Sequence, residues 1–271
     1  NAALDTLIKQ FEEDNGVKVE SKVYTDITTQ LPTDLAGGTA PDVFYIDSSF
    51  YPYLQGEGVL NDISDVVSAD DYYETLASAF STDGKLYAAP KDVSTLAIYA
   101  NTAIFEKAGI TEEAFADWDS FGEAMEKIRA LDEDVYGYIA GQGSSYIVNT
   151  VMASTDEGKK MLESELTEDT INSEEFAAAF KTAANLDQAN GSEHTTDDNG
   201  NLMAEFNTNG KAGVLFNGVW NASGIDASLT DAIEPALFPG NIAIASAGGG
   251  LAVANNMSDE KTELALEFIK Y

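Results

Sequence analysis

The stretch Pro41-Asp42-Val43-Phe44-Tyr45-Ile46-Asp47-Ser48-Ser49-Phe50-Tyr51 decides the reading of this chain. Val43–Ile46 is apolar at every position, as strands covered on both faces of a parallel sheet are. The run then breaks into Asp47 and Ser48, followed by Phe50 and Tyr51. In open α/β sheets ligands bind just beyond the carboxyl ends of strands. These four residues are therefore the first site candidates. The ordinary alternative for Asp47 is the N-cap of a short helix over 49–54, with Phe50 and Tyr51 packing its first turn.

Working outward, Leu4, Leu7, Ile8 and Phe11 mark one face of a helix that Asn15-Gly16 ends. Val17, Val19 and Val23 predict a half-buried strand. Ile27, Leu31 and Leu35 predict a second helix, shortened or kinked by Pro32 and closed by Gly37-Gly38. Leu86–Asn101 reads as two short strands around Pro90-Lys91-Asp92. Ser120 with Glu123 reads as a capping box opening a helix through Phe121, Met125 and Ile128. Tyr136–Ala140 and Gly213–Phe216 are expected strands, and Ser173 and Ser258 expected helix caps. The segment 185–201 is polar and expected to be an exposed loop. Strands and helices thus alternate from end to end, the α/β pattern, with no flexible tether.

Composition removes several function classes. The chain has 271 residues, 47 acidic against 14 basic, a formal charge of −33. A single arginine, Arg129, and so few lysines exclude a phosphate-binding face for nucleic acid. The same charge is repelled by anionic lipid. The absence of cysteine excludes thiolate chemistry, and the one histidine, His194, excludes multi-histidine metal sites and His-based triads. His194 is expected to be exposed in the polar loop. Asp197-Asp198-Asn199-Gly200-Asn201 hints at a calcium loop, but its glycine is at the fourth position and Thr208 replaces the closing Glu, so no metal is expected. Gly248-Gly249-Gly250 lacks the Lys-Ser/Thr of a phosphate loop. No cofactor is implied. A hydrophobic content of 44% argues for a folded chain, and no run reaches the ~18 apolar residues of a membrane span. The charge reads as the solvated surface of an exported protein.

A series of short motifs then carries a resemblance. Phe11-Glu12-Glu13-Asp14-Asn15-Gly16-Val17-Lys18-Val19 resembles the opening helix and strand of extracellular solute-binding proteins, the family that includes maltose-binding protein. Leu35–Ile46 is similar to that family's small-residue turn, "aPDV" and apolar strand. Gly58-Val59-Leu60 and the stretch from Leu86 through Pro90 to Asn101 follow, then Phe105–Ile110. Asp117-Trp118-Asp119-Ser120-Phe121 is similar to the helix start "tWdEf". Asn209–Val214 with Gly218-Val219-Trp220 resembles the "GkaAM…gpW" unit, and Ala247–Val253 with the 258–271 helix resembles a returning strand and helix. The series spans almost the whole chain in order.

The resemblance implies a two-lobed α/β fold of the periplasmic-binding-protein type II class, hinged between lobes. The first lobe maps to about 1–101 plus 246–271, the second to about 102–245. The family usually has a strand before the first helix and further helices after the last, so both ends are expected to be truncated. The implied function is capture of a sugar or oligosaccharide between lobes and delivery to the membrane subunits of an ABC importer. The protein is expected to be a non-enzymatic monomer outside the cell, lipid-anchored or periplasmic.

Sugars present hydroxyls at their edges and CH patches on their faces, so they call for aromatic faces and planar carboxylates or amides. Trp220 matches the family's stacking tryptophan, whereas Trp118 is expected in a core. Asp47 and Asp92 are the proposed hydroxyl acceptors. Ser48, Phe50, Tyr51, Ser94, Tyr146, Asn217 and the backbone of Gly249 complete the candidates. Two other classes remain open: a binder of another solute such as a polyamine, which also needs carboxylates and aromatics, and a glycosidase built on a carboxylate pair.

Overall fold

The computed structural model describes residues 2–140, 145–163, 167–190, 199–229 and 238–271. His194, Asp197, Asp198, Gly143 and Ser144 lie outside them. In chain order the strands are β1 (Val43–Asp47), β2 (Ser81–Thr82), β3 (Lys85–Leu86), β4 (Ala88–Pro90), β5 (Ser94–Ala100), β6 (Tyr136–Ala140), β7 (Ala212–Gly218), β8 (Ala245–Ser246) and β9 (Gly249–Val253). The chain forms two compact units, one of Asn1–Val93 with Ser246–Tyr271, the other of Ser94–Ala245. The strand Ser94–Ala100, expected in the first lobe, belongs to the second unit, because its residues Leu96–Ala100 ladder onto β7.

In the first unit β9 lies between β1 and β4, antiparallel to both. The expected parallel sheet is thus corrected. Phe44 and Ile46 are buried, while Val43 and Tyr45 are half-buried and Asp47 is exposed. Phe44 and Ile46 enter the core beside Leu54, Ile63, Phe80, Leu86, Ala252 and Val253, and Val43 packs at its margin. Period-two alternation puts Tyr45 and Asp47 together on the other face. Between β2 and β3, Asp83 and Gly84 both have positive φ, 53° and 74°. That is what a two-residue hairpin needs to match the strands' right-handed twist.

Three local expectations of the first unit are settled. The helix Ala2–Asn15 ends at Gly16, as read. The helix Ile27–Gly37 continues through Pro32 and stops at left-handed Gly38. The segment 17–24 is not a strand: no strand among the described residues pairs with it, and Val23 is 88% exposed. Alternating valines without a ladder partner do not make a strand, since the backbone groups need pairing.

The second unit has a four-stranded sheet in the order β6-β7-β5-β8, with β6 parallel and β5 antiparallel to β7. All seven residues of β7 are buried. Tyr138, Val214 and Phe216 face one apolar cluster with Phe121, Met125 and Ile128; Ile139 and Leu215 face another with Leu202 and Phe206. This sheet is therefore covered on both sides. Helix Trp118–Arg129 starts one turn earlier than the expected capping box. Asp117, not Ser120, is its N-cap, and the Ser120 N–H donates to the Asp117 carboxylate at 2.7 Å. A carboxylate at that position also faces the helix dipole favourably. Ser173 caps the helix Glu174–Asn190, which takes in the start of the expected loop at 185.

Candidate functional site

At the carboxyl end of β1, side chains gather around the first residues of β9. Asp47 pairs in register with Gly249, and the Ser48 N–H donates to the Gly248 carbonyl at 3.0 Å. The Tyr45 ring lies over Gly249, on the same face of β1 as Asp47. Lys91 Nζ sits 4.9 Å from the centre of that ring and 2.7 Å from Asp92 Oδ2. The other Asp92 oxygen accepts the Gly249 N–H at 2.9 Å. Each glycine has a steric reason. A β-carbon on Gly248, whose φ is +63°, would come 2.2 Å from Asp92 Oδ1, and one on Gly249 would meet the Tyr45 ring at 1.9 Å.

The electrostatics separate the two carboxylates. Although its side chain reaches solvent, Asp47 is held above its ordinary value by partial desolvation and by the charge of Asp92, against the neighbouring Tyr45 hydroxyl and attraction to Lys91. Burial also acts to raise Asp92, but its hydrogen bonds from Lys91 and the Gly249 N–H outweigh that, and it lies below its ordinary value. The Tyr45 hydroxyl is pushed up to about 12 by burial and by the charges of Asp47 and Asp92. One cation thus stands against two carboxylates, and Asp47 keeps both a solvent-facing position and free acceptor capacity. Asp47 is not a side-chain cap: Phe50 precedes the helix Tyr51–Gly56, with no side-chain cap bond, and its N–H meets the Asp47 backbone carbonyl.

In the second unit, β7 delivers Asn217 and Gly218 to a turn of 3₁₀ helix, Val219–Gly224, that carries Trp220. Trp220 is 47% exposed. Its inner face lies on Gly218, where a β-carbon would meet the ring at 2.1 Å. The Tyr99 hydroxyl holds the Gly218 carbonyl at 2.8 Å. An indole seated on a glycine and open on one side is a stacking platform.

The remaining candidates fall elsewhere. Tyr51 is a core residue, bonded through its hydroxyl to Thr82 at 2.7 Å and packed edge-on to Phe80. Tyr146 stands at the start of the helix Ser145–Met152, as read, but is buried in the main core of the second unit. Asn217 is 2% exposed, and its carboxamide is engaged by Asn199 and the Gly218 N–H. The Gly249 N–H and carbonyl already serve Asp92 and the Lys91 N–H. Phe50 is half-buried and stacks on Tyr53. Ser48 is half-buried beside Asp47, and Ser94 opens β5 in the second unit. Trp118 is packed on Phe216 and Phe121, as expected.

The residue that the sequence reading missed is Tyr45; its signal was the two-residue spacing from Asp47. Also missed were Tyr72 and Tyr73, which with Leu76, Pro90, Lys91, Asp92 and Val93 line a concavity of about 560 Å³. Tyr73 is 81% exposed. Among the described residues no group of three or more acidic or histidine side chains is placed to hold a metal ion. No helix among them is long and apolar enough to cross a membrane.

Known proteins share this pattern. The diacetylchitobiose binding protein DasA of Streptomyces coelicolor is 28% identical over 97% of this chain and 64% of its own length. A maltooligosaccharide ABC transporter solute-binding lipoprotein of Streptococcus pneumoniae is 25% identical over 99% of this chain and 64% of its own. The solved structure of a Streptococcus pneumoniae solute-binding protein in complex with the blood group A-trisaccharide superposes with a TM-score of 0.81 at 32% identity, covering 100% of this chain and 70% of that one. The chain spans less than two thirds of the length of the curated relatives it matches, and a third of some. These structures have the α/β periplasmic-binding-protein fold that the motifs imply. The family model for bacterial extracellular solute-binding proteins matches residues 1–271, and the chain belongs to that family.

Proposed function

We propose that this chain is the sugar-capturing part of an ABC importer's extracellular binding protein, taking an oligosaccharide rather than a charged solute. The observation that carries the reading is Trp220, held half-exposed on Gly218 at the end of a fully buried strand. A tryptophan left open in this way suits the CH face of a pyranose. Asp47 supplies a carboxylate for a pair of sugar hydroxyls, with Tyr45 beside it. Asp47 and Tyr45 belong to the first unit and Trp220 to the second, and each suits the same class of ligand. Asp92 is mainly a clamp between β4 and β9 through Gly249 and Lys91. The relatives' sugars support this class of ligand. Tethering by lipid, action as a monomer and delivery to importer membrane subunits belong to the same proposal.

The test is a titration of maltotriose, N,N′-diacetylchitobiose, arabinotriose and spermidine, read by tryptophan fluorescence and calorimetry. Saturable binding of a sugar that Trp220→Ala abolishes supports the proposal. Binding of spermidine alone would move the assignment to polyamines. Because Asp47 is raised and Asp92 lowered, the pattern of an acid and a base, turnover of aryl glycosides is assayed in parallel. Hydrolysis lost in Asp47→Asn would overturn the binding-only reading.

A further inference from the structure

Behind the turn that carries Trp220 lie three asparagines whose carboxamides interlock. Asn199 is the first residue of the helix Asn199–Ala204, Asn217 belongs to β7, and Asn221 follows Trp220 on the turn. Asn199 Oδ1 accepts from Asn217 Nδ2 at 3.0 Å and from Asn221 Nδ2 at 2.8 Å. Asn199 Nδ2 donates back to Asn221 Oδ1 at 3.1 Å. Asn217 and Asn221 are only 2% and 9% exposed.

The order of donors is determined from one end. The Gly218 N–H donates to Asn217 Oδ1 at 3.0 Å, which turns the Asn217 amino group toward Asn199. That group needs an acceptor, so Asn199 presents Oδ1 to it. Asn199 Nδ2 is then left to meet the Asn221 carbonyl oxygen. Asn199 itself is exposed and closes the network from the solvent side; with two of the three carboxamides buried, each has one allowed orientation, and the part-buried network specifies a single local geometry. Gly218, the residue at the start of this chain, is also the seat of the indole.

We propose that Asn199 is a positioning residue for Trp220: it locks the 219–224 turn to β7 and so sets the exposed face of the indole before ligand arrives. The inference rests on the reading of Trp220 as the sugar platform only for its consequence in binding; the positioning itself is a property of the ligand-free protein. Preorganisation of this kind raises affinity by removing the ordering cost at binding.

The experiment uses Trp118→Phe as background, so that Trp220 is the single indole. Among the described residues Trp118 Nε1 has no hydrogen-bond partner, and the exchange removes none there. In this background Asn199→Ala and Asn199→Asp are compared with the parent by acrylamide quenching and emission anisotropy of the free protein, well below its unfolding temperature. Asn199→Asp keeps the acceptor for Asn217 and Asn221 and loses the donor. The expected order is a steep rise in quenching and fall in anisotropy for Asn199→Ala, with Asn199→Asp in between. In the sugar titrations with maltotriose and N,N′-diacetylchitobiose, Asn199→Ala, which removes all three of its side-chain hydrogen bonds, is expected to weaken binding about tenfold through the lost preorganisation. Unchanged quenching and anisotropy in Asn199→Ala would overturn the proposal. Should Asn199→Ala fail to fold by circular dichroism, parent-like quenching in Asn199→Asp alone would do so. Failure of every sugar to bind would count against the proposed function and leave the quenching arm to decide this one.

Discussion

The backbone of Gly249 lies so close to the Tyr45 ring that a β-carbon there would fall 1.9 Å from the ring's Cζ and its hydroxyl oxygen. Tyr45 therefore cannot hold its place near Asp47 beside any other residue at 249. Gly249→Ala is expected to cost about 1–3 kcal/mol, the scale of overpacking, and to weaken sugar binding as Tyr45 is driven from Asp47. Denaturant midpoints and the sugar titrations check both. Parent-like values in each would mean the ring swings aside freely and has no part in the site.

Trp220 and Gly218 form the corresponding pair in the second unit. Trp220→Ala is expected to lower affinity about ten- to a hundredfold, as loss of one stacking face would, and to remove the fluorescence response. Its melting temperature should change little, because the side chain is 47% exposed. Gly218→Ala should lower both affinity and stability, since the ring and the alanine compete for one space. A large loss of stability in Trp220→Ala would assign that residue to packing.

Asp47 and Asp92 are expected to answer pH in opposite senses. Asp47 sits above the ordinary 3.8, so its folded state holds the proton more tightly than the unfolded one. Its contribution to stability is present in acid and lost as pH rises through the folded-state value. Asp47→Asn should thus raise the melting temperature at neutral pH while weakening sugar binding. Asp92 sits below 3.8, and its contribution is present above that value and lost as pH falls. Asp92→Asn should lower the melting temperature at neutral pH, with the difference shrinking as pH falls below the ordinary 3.8. Thermal melts across pH check the signs; a parallel response of the two variants would contradict the arrangement.

Phe216 stands at the centre of the second unit's core, 5.4 Å from the ring centres of Phe121, Tyr138 and Phe238. Phe216→Ala should destabilise this unit by about 3–5 kcal/mol, measured by chemical unfolding. A cost below about 1 kcal/mol would mean that the surrounding rings close the cavity.

How far the residues announced all this differs by level. The covered strand at 213–216, the Gly38 stop and the Ser258 cap were legible because each depends on neighbours in sequence. The sheet direction of Val43–Ile46 was not, because its antiparallel partner is about two hundred residues away. Nor was the fate of Asn217: an amide beside a tryptophan looks available until Asn199 is seen to occupy it. Tyr51 and Tyr146 misled for a related reason, since an aromatic beside a strand end or helix start packs inward as readily as it faces solvent. Asp47 and Trp220 stood out because each lies at the carboxyl end of an apolar strand.

The position of β9 between β1 and β4 has a consequence for synthesis. Residues 1–93 lack the middle strand of their own sheet until Gly249–Val253 has been made. Residues 94–245 form the second unit in one unbroken run. The order of birth is therefore reversed in the order of completion: the earlier segment must wait, edges unpaired, for a strand that follows the whole second unit. Such a chain is most exposed to strand-edge association in that interval, and its heavy negative charge then acts on the nascent form as a repulsive coat.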